Sequence, residues 1–244
     1  MRNPSIVVMK SHPKQNRLLA SLPAAEWERW HPQLEFVDLE LGEILYEPGK
    51  VMTHAYFPTD CIISMLYVMQ NGASAEIAVV GFEGLIGIPL FMGGDSTSSR
   101  GVVQNAGRAY RLPAAALKQE FQEVAVLHLL LRYTQALMTQ MVQTAACNKH
   151  HTIHQQLCRW LLLSLDRLAA NELVMTQQLV ANMLGVTRAV VEAAESDLQA
   201  DGLINVAGGH INVLNRRGLE ATCCECYLVV KKEYARLLPQ VIAS

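Results

Sequence analysis

Arg188 and Glu192 stand four residues apart in the stretch QQLVANMLGVTRAVVEAAESDL, residues 177–198. Their side chains suit base edges: a guanidinium can fork onto a guanine, and a carboxylate can accept from a cytosine amino group. At that spacing on a helix they also suit each other, so a solvated surface ion pair is the competing reading. Groups able to hold phosphates flank the pair. Thr176, Gln177 and Gln178 open the preceding helix, Thr187 opens the helix that carries Arg188, and His210, Arg216 and Arg217 follow it.

Two further constellations could do chemistry. TCCECY brings Cys223, Cys224 and Cys226 together, which suggests a soft metal or redox chemistry. A closed zinc site takes four ligands, and only a distant cysteine or a histidine could complete this one, so buried thiols on a docked C-terminal helix are expected and no metal centre is. In HHTIH, His150 and His154 share a helical spacing but lack a third ligand, so a polar hinge is expected. Nucleophile elbows, phosphate-binding loops and paired zinc-protease histidines are missing from the sequence, which argues against an enzyme.

The elements that must position Arg188 follow from periodicity. Thr176 can cap a first helix, with Leu179, Val180, Met183 and Leu184 inward. Gly185 permits a sharp turn because it lacks a Cβ. Thr187 then caps a second helix whose buried face is Val191, Ala194 and Leu198. Upstream lies QQLCRWLLLSLDRL, a helix with Leu157, Trp160, Leu161, Leu165 and Leu168 inward; downstream, Gly208-Gly209 joins two short strands. Three helices and a hairpin in that order make a winged helix-turn-helix.

Residues 114–146 read as one long helix. Leu127, Leu131, Thr134, Met138 and Met141 alternate spacings of four and three, the seam of a dimer, while Leu130, Leu137 and Val142 form a second apolar flank. The neighbours expected for these two sides are a second copy of the helix and the preceding domain, the alternative being a single broad stripe packed inside a monomer. From Leu34 to Leu112 the texture changes to short alternating runs such as CIISMLYV and AEIAVV, punctuated by turns, which predicts a compact antiparallel sandwich or roll. Two short helices around a Leu-Pro break, residues 14–31, precede it. The fold class is therefore α+β, divided at 1–113, 114–146 and 147–244.

Composition limits the partners. The chain has 244 residues, a formal charge of −2 and 51% apolar residues, so it can bury real cores but cannot coat nucleic acid with positive charge. Between Val186 and Ala200, Arg188 faces Glu192, Glu195 and Asp197. Phosphate contacts must therefore come from outside that helix, and a shallow salt dependence follows. The apolar run Ile6–Met9 is too short for a signal-peptide core, no segment is long enough for a membrane span, and the scattered cysteines suit a reducing cytoplasm.

LPAAEWERW leading into LELGEILYEPGK, the glycine-spaced GFEGLIGIPLFMGG, and MTQQLVANMLGVTRAVVEAAESDLQADGLI follow one another across nearly the whole chain. Together they resemble the Crp/Fnr family of bacterial one-component transcription regulators. The resemblance implies a cyclic-nucleotide-binding-like β-roll, a long dimerisation helix and a winged helix-turn-helix that binds two-fold symmetric promoter DNA as a homodimer. It further implies a small-molecule effector in the roll, with RNA polymerase as a further candidate partner. Arg188 matches the family's base-reading arginine and Thr176 a phosphate-contacting threonine, whereas Ala189 and Ala193 stand where members carry a base-reading glutamate and a second arginine. In the sensor, Gly87, Ile88 and Arg100 mark the effector pocket. Cyclic-nucleotide binders follow that glycine with a glutamate that takes the ribose hydroxyl. Ile88 cannot hydrogen-bond a hydroxyl, and Arg100 precedes Gly101 rather than a hydroxyl residue, so cyclic AMP is not expected. No cysteine precedes Cys61, which excludes an N-terminal iron–sulfur cluster; the effector and any cofactor stay unnamed. The alternative is a regulator-like protein-interaction module whose acidic second helix has weakened its hold on DNA.

Overall fold

The computed structural model describes residues 12–119, 123–168 and 172–238; the apolar run Ile6–Met9 lies outside them. The Leu-Pro break separates α1, Arg17–Ala20, from α2, Ala24–Trp30. Asn16 fixes the start of α1. Its buried side chain accepts from the Leu18 and Leu19 amides and donates to the Pro58 and Gly84 carbonyls, so one residue caps a helix and anchors it to the strands beneath.

Those strands form two antiparallel sheets. One has the order β1 (Glu35–Leu39), β7 (Gly107–Pro113), β3 (His54–Pro58). The other runs β2 (Ile44–Tyr46), β6 (Arg100–Asn105), β4 (Ile62–Val68), β5 (Ser74–Val80). Strand β4 explains its own largely apolar sequence. Ile63 and Met65 point into the core of the roll, while Ile62 and Leu66 point the other way into a second core built on the C-terminal helices. A strand covered on both faces takes apolar residues at nearly every position, and the polar exception, the buried Ser64, is bonded to Glu76 and Gln104. The short helix α3, Ile88–Met92, follows Gly87 at the edge of the roll.

The helix expected over 114–146 is two helices, α4 (Ala114–Gln119) and α5 (Val124–His150). Glu123, at φ −87° and ψ 107°, is extended and ends helical continuity there. Among the described residues no helix is long and apolar enough to cross a membrane.

The C-terminal part contains α6 (Ile153–Leu165), β8 (Glu172–Val174), α7 (Gln177–Leu184), α8 (Arg188–Ala200), β9 (Ile204–Ala207), β10 (His210–Val213), α9 (Arg216–Thr222) and α10 (Cys226–Leu237). Helix α6 opens on a capping box between Thr152 and Gln155. Its inward residues Leu157, Trp160, Leu161 and Leu165 are buried as expected, and so are Leu162 and Leu163, because β4 and β5 cover the side that sequence leaves open. The expected hairpin of β9 and β10 turns at Gly208 and Gly209, both at positive φ, and it gains β8 as a third strand on the far edge of β10. Overall the molecule is α+β: an antiparallel roll, a long helix and a C-terminal helical unit, α6 to α10, with a small sheet.

Candidate nucleic-acid interface

Helix α7 begins where the Thr176 hydroxyl accepts from the Leu179 amide at 3.3 Å. Val180, Met183 and Leu184 bury its inner face, and Leu179 packs at its margin. Gly185 then takes φ +67°, a left-handed conformation that costs a residue with a Cβ but not glycine. Val191, Ala194 and Leu198 are buried along α8, so the opposite face presents Thr187, Arg188, Ala189, Glu192, Ala193 and Ser196 to solvent. Thr187 sits at the N-cap of α8 without a capping side-chain bond.

Arg188 does not lean on Glu192. Its Nε donates to Gln177 Oε1 at 3.3 Å, and Gln177 Nε2 donates to Glu195 Oε2 at 2.8 Å. A half-buried amide at the start of α7 thus orients the guanidinium at the start of α8. Glu195 is only 2% exposed, and burial raises its carboxyl above the usual range, against the pull of the Gln177 bond. Counting Glu195 among acids facing a partner is therefore corrected: the exposed carboxylates of the helix are Glu192 and Asp197. Gln178 is exposed and donates to Asn182 Oδ1 at 3.0 Å, one turn along its own helix.

The groups expected to grip phosphate outside these helices divide. His210 Nδ1 lies 2.8 Å from Glu172 Oε1 across the small sheet, so an acid already shares its ring. Arg216 is half-buried and paired within the chain. Its guanidinium pairs with Asp166, with Glu220 at 3.1 Å and with the Tyr227 hydroxyl at 3.0 Å, clamping α9 to α6 and α10. In the chain without DNA these bonds hold Arg216 in a structural role. Arg217 is exposed.

Gly87 caps α3, Ile88 packs on the roll core, and Arg100 Nε pairs with Glu47 at 2.7 Å. A cavity of about 370 Å³ lies elsewhere, lined by Arg17, Phe82, Glu83, Arg167 and Tyr234 between the roll, α6 and α10. In its floor the buried Arg167 pairs with Glu83 at 2.7 Å.

On α5, Leu131 and Met138 are exposed and Leu127 is half-buried. Thr134 is buried, its hydroxyl bonded to the Leu130 carbonyl, and Met141 packs against the roll core. Val142, expected on the second flank, is instead 68% exposed. Thr134 and Met141 thus face the chain's own packing, and Val142 stands on the exposed side with Leu131 and Met138. A neighbour that periodicity does not reveal, α10, also runs along α5, with Tyr234 donating to Gln140 and Gln135 to Glu233.

The cysteines also meet a distant partner. Cys226 lies on α10 and Cys224 just before it, and the Cys224 sulfur is 3.6 Å from that of Cys147 near the end of α5. His151, not His150 or His154, completes the group through a ring nitrogen 3.4 Å from the Cys226 sulfur. The sequence signal was present in Cys147 and His151 at helical spacing, but nothing local pointed from them to residues over seventy positions away.

The sequence profile of the Crp-like helix-turn-helix domain matches residues 155–222, which contain Thr176, Gln177, Arg188 and Glu195. A search of curated proteins finds no match. Among solved structures, a Crp/Fnr-family transcriptional regulator from Eubacterium rectale is similar over 86% of this chain and 98% of its own, with TM-score 0.68 and 16% identity. FixK2 of Bradyrhizobium japonicum is similar over 78% of this chain and 98% of its own, with TM-score 0.67 and 17% identity. A Crp-family transcriptional regulator from Thermus thermophilus is similar over 76% and 95%, with TM-score 0.65 and 17% identity. At such identities the likeness is one of fold. Residues 155–222 carry a Crp-like helix-turn-helix, and the described chain has the Crp/Fnr regulator fold.

Proposed function

We propose that this chain, whose helix-turn-helix is Crp-like, is a cytoplasmic, non-enzymatic transcription regulator that binds promoter DNA as a homodimer. The observation that carries the reading is the Arg188–Gln177–Glu195 relay. It holds a cation at the start of the exposed face of α8, the position from which a second helix of this motif meets base edges. In this reading α8 enters the major groove, Arg188 forks onto a guanine, and Glu192 stands one turn later where a cytosine amino group can donate. The Thr176 and Gln178 side chains and the exposed start of α7 take phosphates, with Arg217 outside the helix pair.

The division into a roll at 1–113, a connecting helical region to 146 and a DNA-binding unit from 147 is part of the same proposal. Val124, Leu131, Met138 and Val142 leave an apolar stripe on α5 open to solvent, and a second copy of α5 is its partner. Effector control acts through the roll. Ile88 and the Glu47-paired Arg100 argue against a cyclic nucleotide, while the cavity between roll, α6 and α10 offers room where sensor and DNA unit meet. Burial of Glu195 reduces the acidity of the reading face and with it the support for an interaction module.

Selection of the intact chain on a mixed-sequence duplex library tests the proposal. Enrichment of a two-fold symmetric sequence supports it, and recovery of duplexes with no shared symmetric sequence overturns it.

A further inference from the structure

We propose that Cys147, His151, Cys224 and Cys226 form a closed tetrahedral zinc site that ties the end of α5 to the start of α10. One ligand atom from each residue lies within 4.8 Å of all the others. The Cys147 and Cys224 sulfurs are 3.6 Å apart, and the Cys226 sulfur is 3.4 Å from His151 Nδ1. With zinc–sulfur bonds near 2.3 Å and zinc–nitrogen bonds near 2.0 Å, tetrahedral edges are about 3.8 Å between sulfurs and about 3.5 Å between sulfur and nitrogen. These two separations match those edges, and the remaining pairs lie within 4.8 Å. They are too long for a disulfide, whose sulfurs stand about 2.05 Å apart.

The surroundings suit a metal as well as the ligands do. All three cysteines are buried, as a structural site without an open position requires. His151 turns Nδ1 toward Cys226 and Nε2 toward Glu225, whose carboxylate is 3.4 Å away, the carboxylate–histidine arrangement that fixes a ligating imidazole. Gln143 Nε2 donates to the Cys226 sulfur at 3.0 Å, a bond that favours a thiolate. Three thiolates and a neutral imidazole on a divalent ion carry one net negative charge. The buried Arg159, which acts electrostatically on Cys147, supplies a compensating positive one. Binding is an exchange in which one zinc ion enters and the three thiols release their protons to solvent. The ligands span two helices 77 residues apart in sequence at the Cys147–Cys224 contact, so the ion would cross-link the root of the DNA-binding unit to the long helix.

The test uses the intact chain, purified under reducing conditions without chelator or DNA, so that it is independent of the regulatory reading. Elemental and native mass spectrometry should show one zinc per chain. Removal with a strong chelator should lower the melting temperature, and Co²⁺ added to the stripped protein should produce an intense thiolate-to-cobalt band with tetrahedral visible bands. Cys224→Ser should lose the zinc, whereas Cys61→Ala, in the roll core, should keep it. If Cys224→Ser does not fold, the cobalt spectrum of the unaltered chain decides. A folded, fully reduced chain that takes up Co²⁺ without a thiolate band overturns the proposal, as does a Cys224→Ser variant that folds and retains its zinc.

Discussion

Arg188 is oriented by Gln177, not by the acid one turn along its own helix: the Nε–Oε1 distance is 3.3 Å, and the other end of the same amide holds the buried Glu195. Gln177→Ala removes both bonds at once. It leaves a carboxylate, already short of a partner at Oε1, with no donor from Gln177. Unfolding in urea should show a loss of about 1–3 kcal/mol, the cost of stranding a buried polar group. An unchanged midpoint and slope would contradict the relay.

The stripe on α5 gives a second expectation. Met138→Glu with Val142→Glu puts two carboxylates on the exposed apolar face without entering the chain's own core. Sedimentation should then report a monomer at concentrations where the unaltered chain is a dimer, with the dimer dissociation constant raised at least ~100-fold, or about 2.7 kcal/mol. The same association for both proteins would move the dimer contact elsewhere.

Glu76 provides a pH dependence. It is buried beside Ser64, whose hydroxyl continues the chain to Gln104 and, on α6, Ser164. Burial pushes its carboxyl from 4.5 up to about 7, against smaller opposing effects of Ser64, Arg159, Trp160 and Arg167. The folded state thus holds a proton that the unfolded chain gives up near pH 4.5. This contribution to stability is complete below that pH and is lost as pH rises toward 7. Glu76→Gln mimics the protonated group, so its melting temperature relative to the unaltered protein should climb between pH 5 and pH 7.5, by an amount corresponding to at most about 3 kcal/mol. A difference that stays constant with pH would show that Glu76 titrates normally.

With Arg216 committed to Asp166 and Glu220, few cations remain to displace counterions. Even if the base-reading Arg188 is counted with Arg217 as displacing a counterion in each half of a dimer, the slope of log affinity against log salt should be about −4 or shallower. A slope near −8 in a salt titration would require a basic surface outside the candidate interface.

Much of this was legible in the sequence for physical reasons. The turn at Gly185, the buried face Val191–Ala194–Leu198 and the wing at Gly208-Gly209 are set by local periodicity and by positive φ, so neighbouring residues suffice to read them. Apart from the local break of the long helix at the extended Glu123, the departures involve partners remote in the chain. Arg216 is taken by Asp166, fifty positions away; Val142 is exposed and Met141 covered because the chain folds back on α5; β8 is a strand only because β10 offers it an edge. Glu195 looks like a solvated acid until Gln177 is seen above it. A pattern of types along one helix reports which side is apolar, but not which neighbour covers it.

The central claim is that Arg188 reads one base pair in each half of a two-fold site, with half-site centres about 10 base pairs apart. Its most direct test is the affinity of the unaltered chain and of Arg188→Ala for the selected duplex and for every single-base substitution of its half-site. The unaltered chain should lose about 1–3 kcal/mol at one guanine position, and Arg188→Ala should be indifferent to that position while keeping its preferences at the others. Identical substitution profiles for the two proteins would contradict the account.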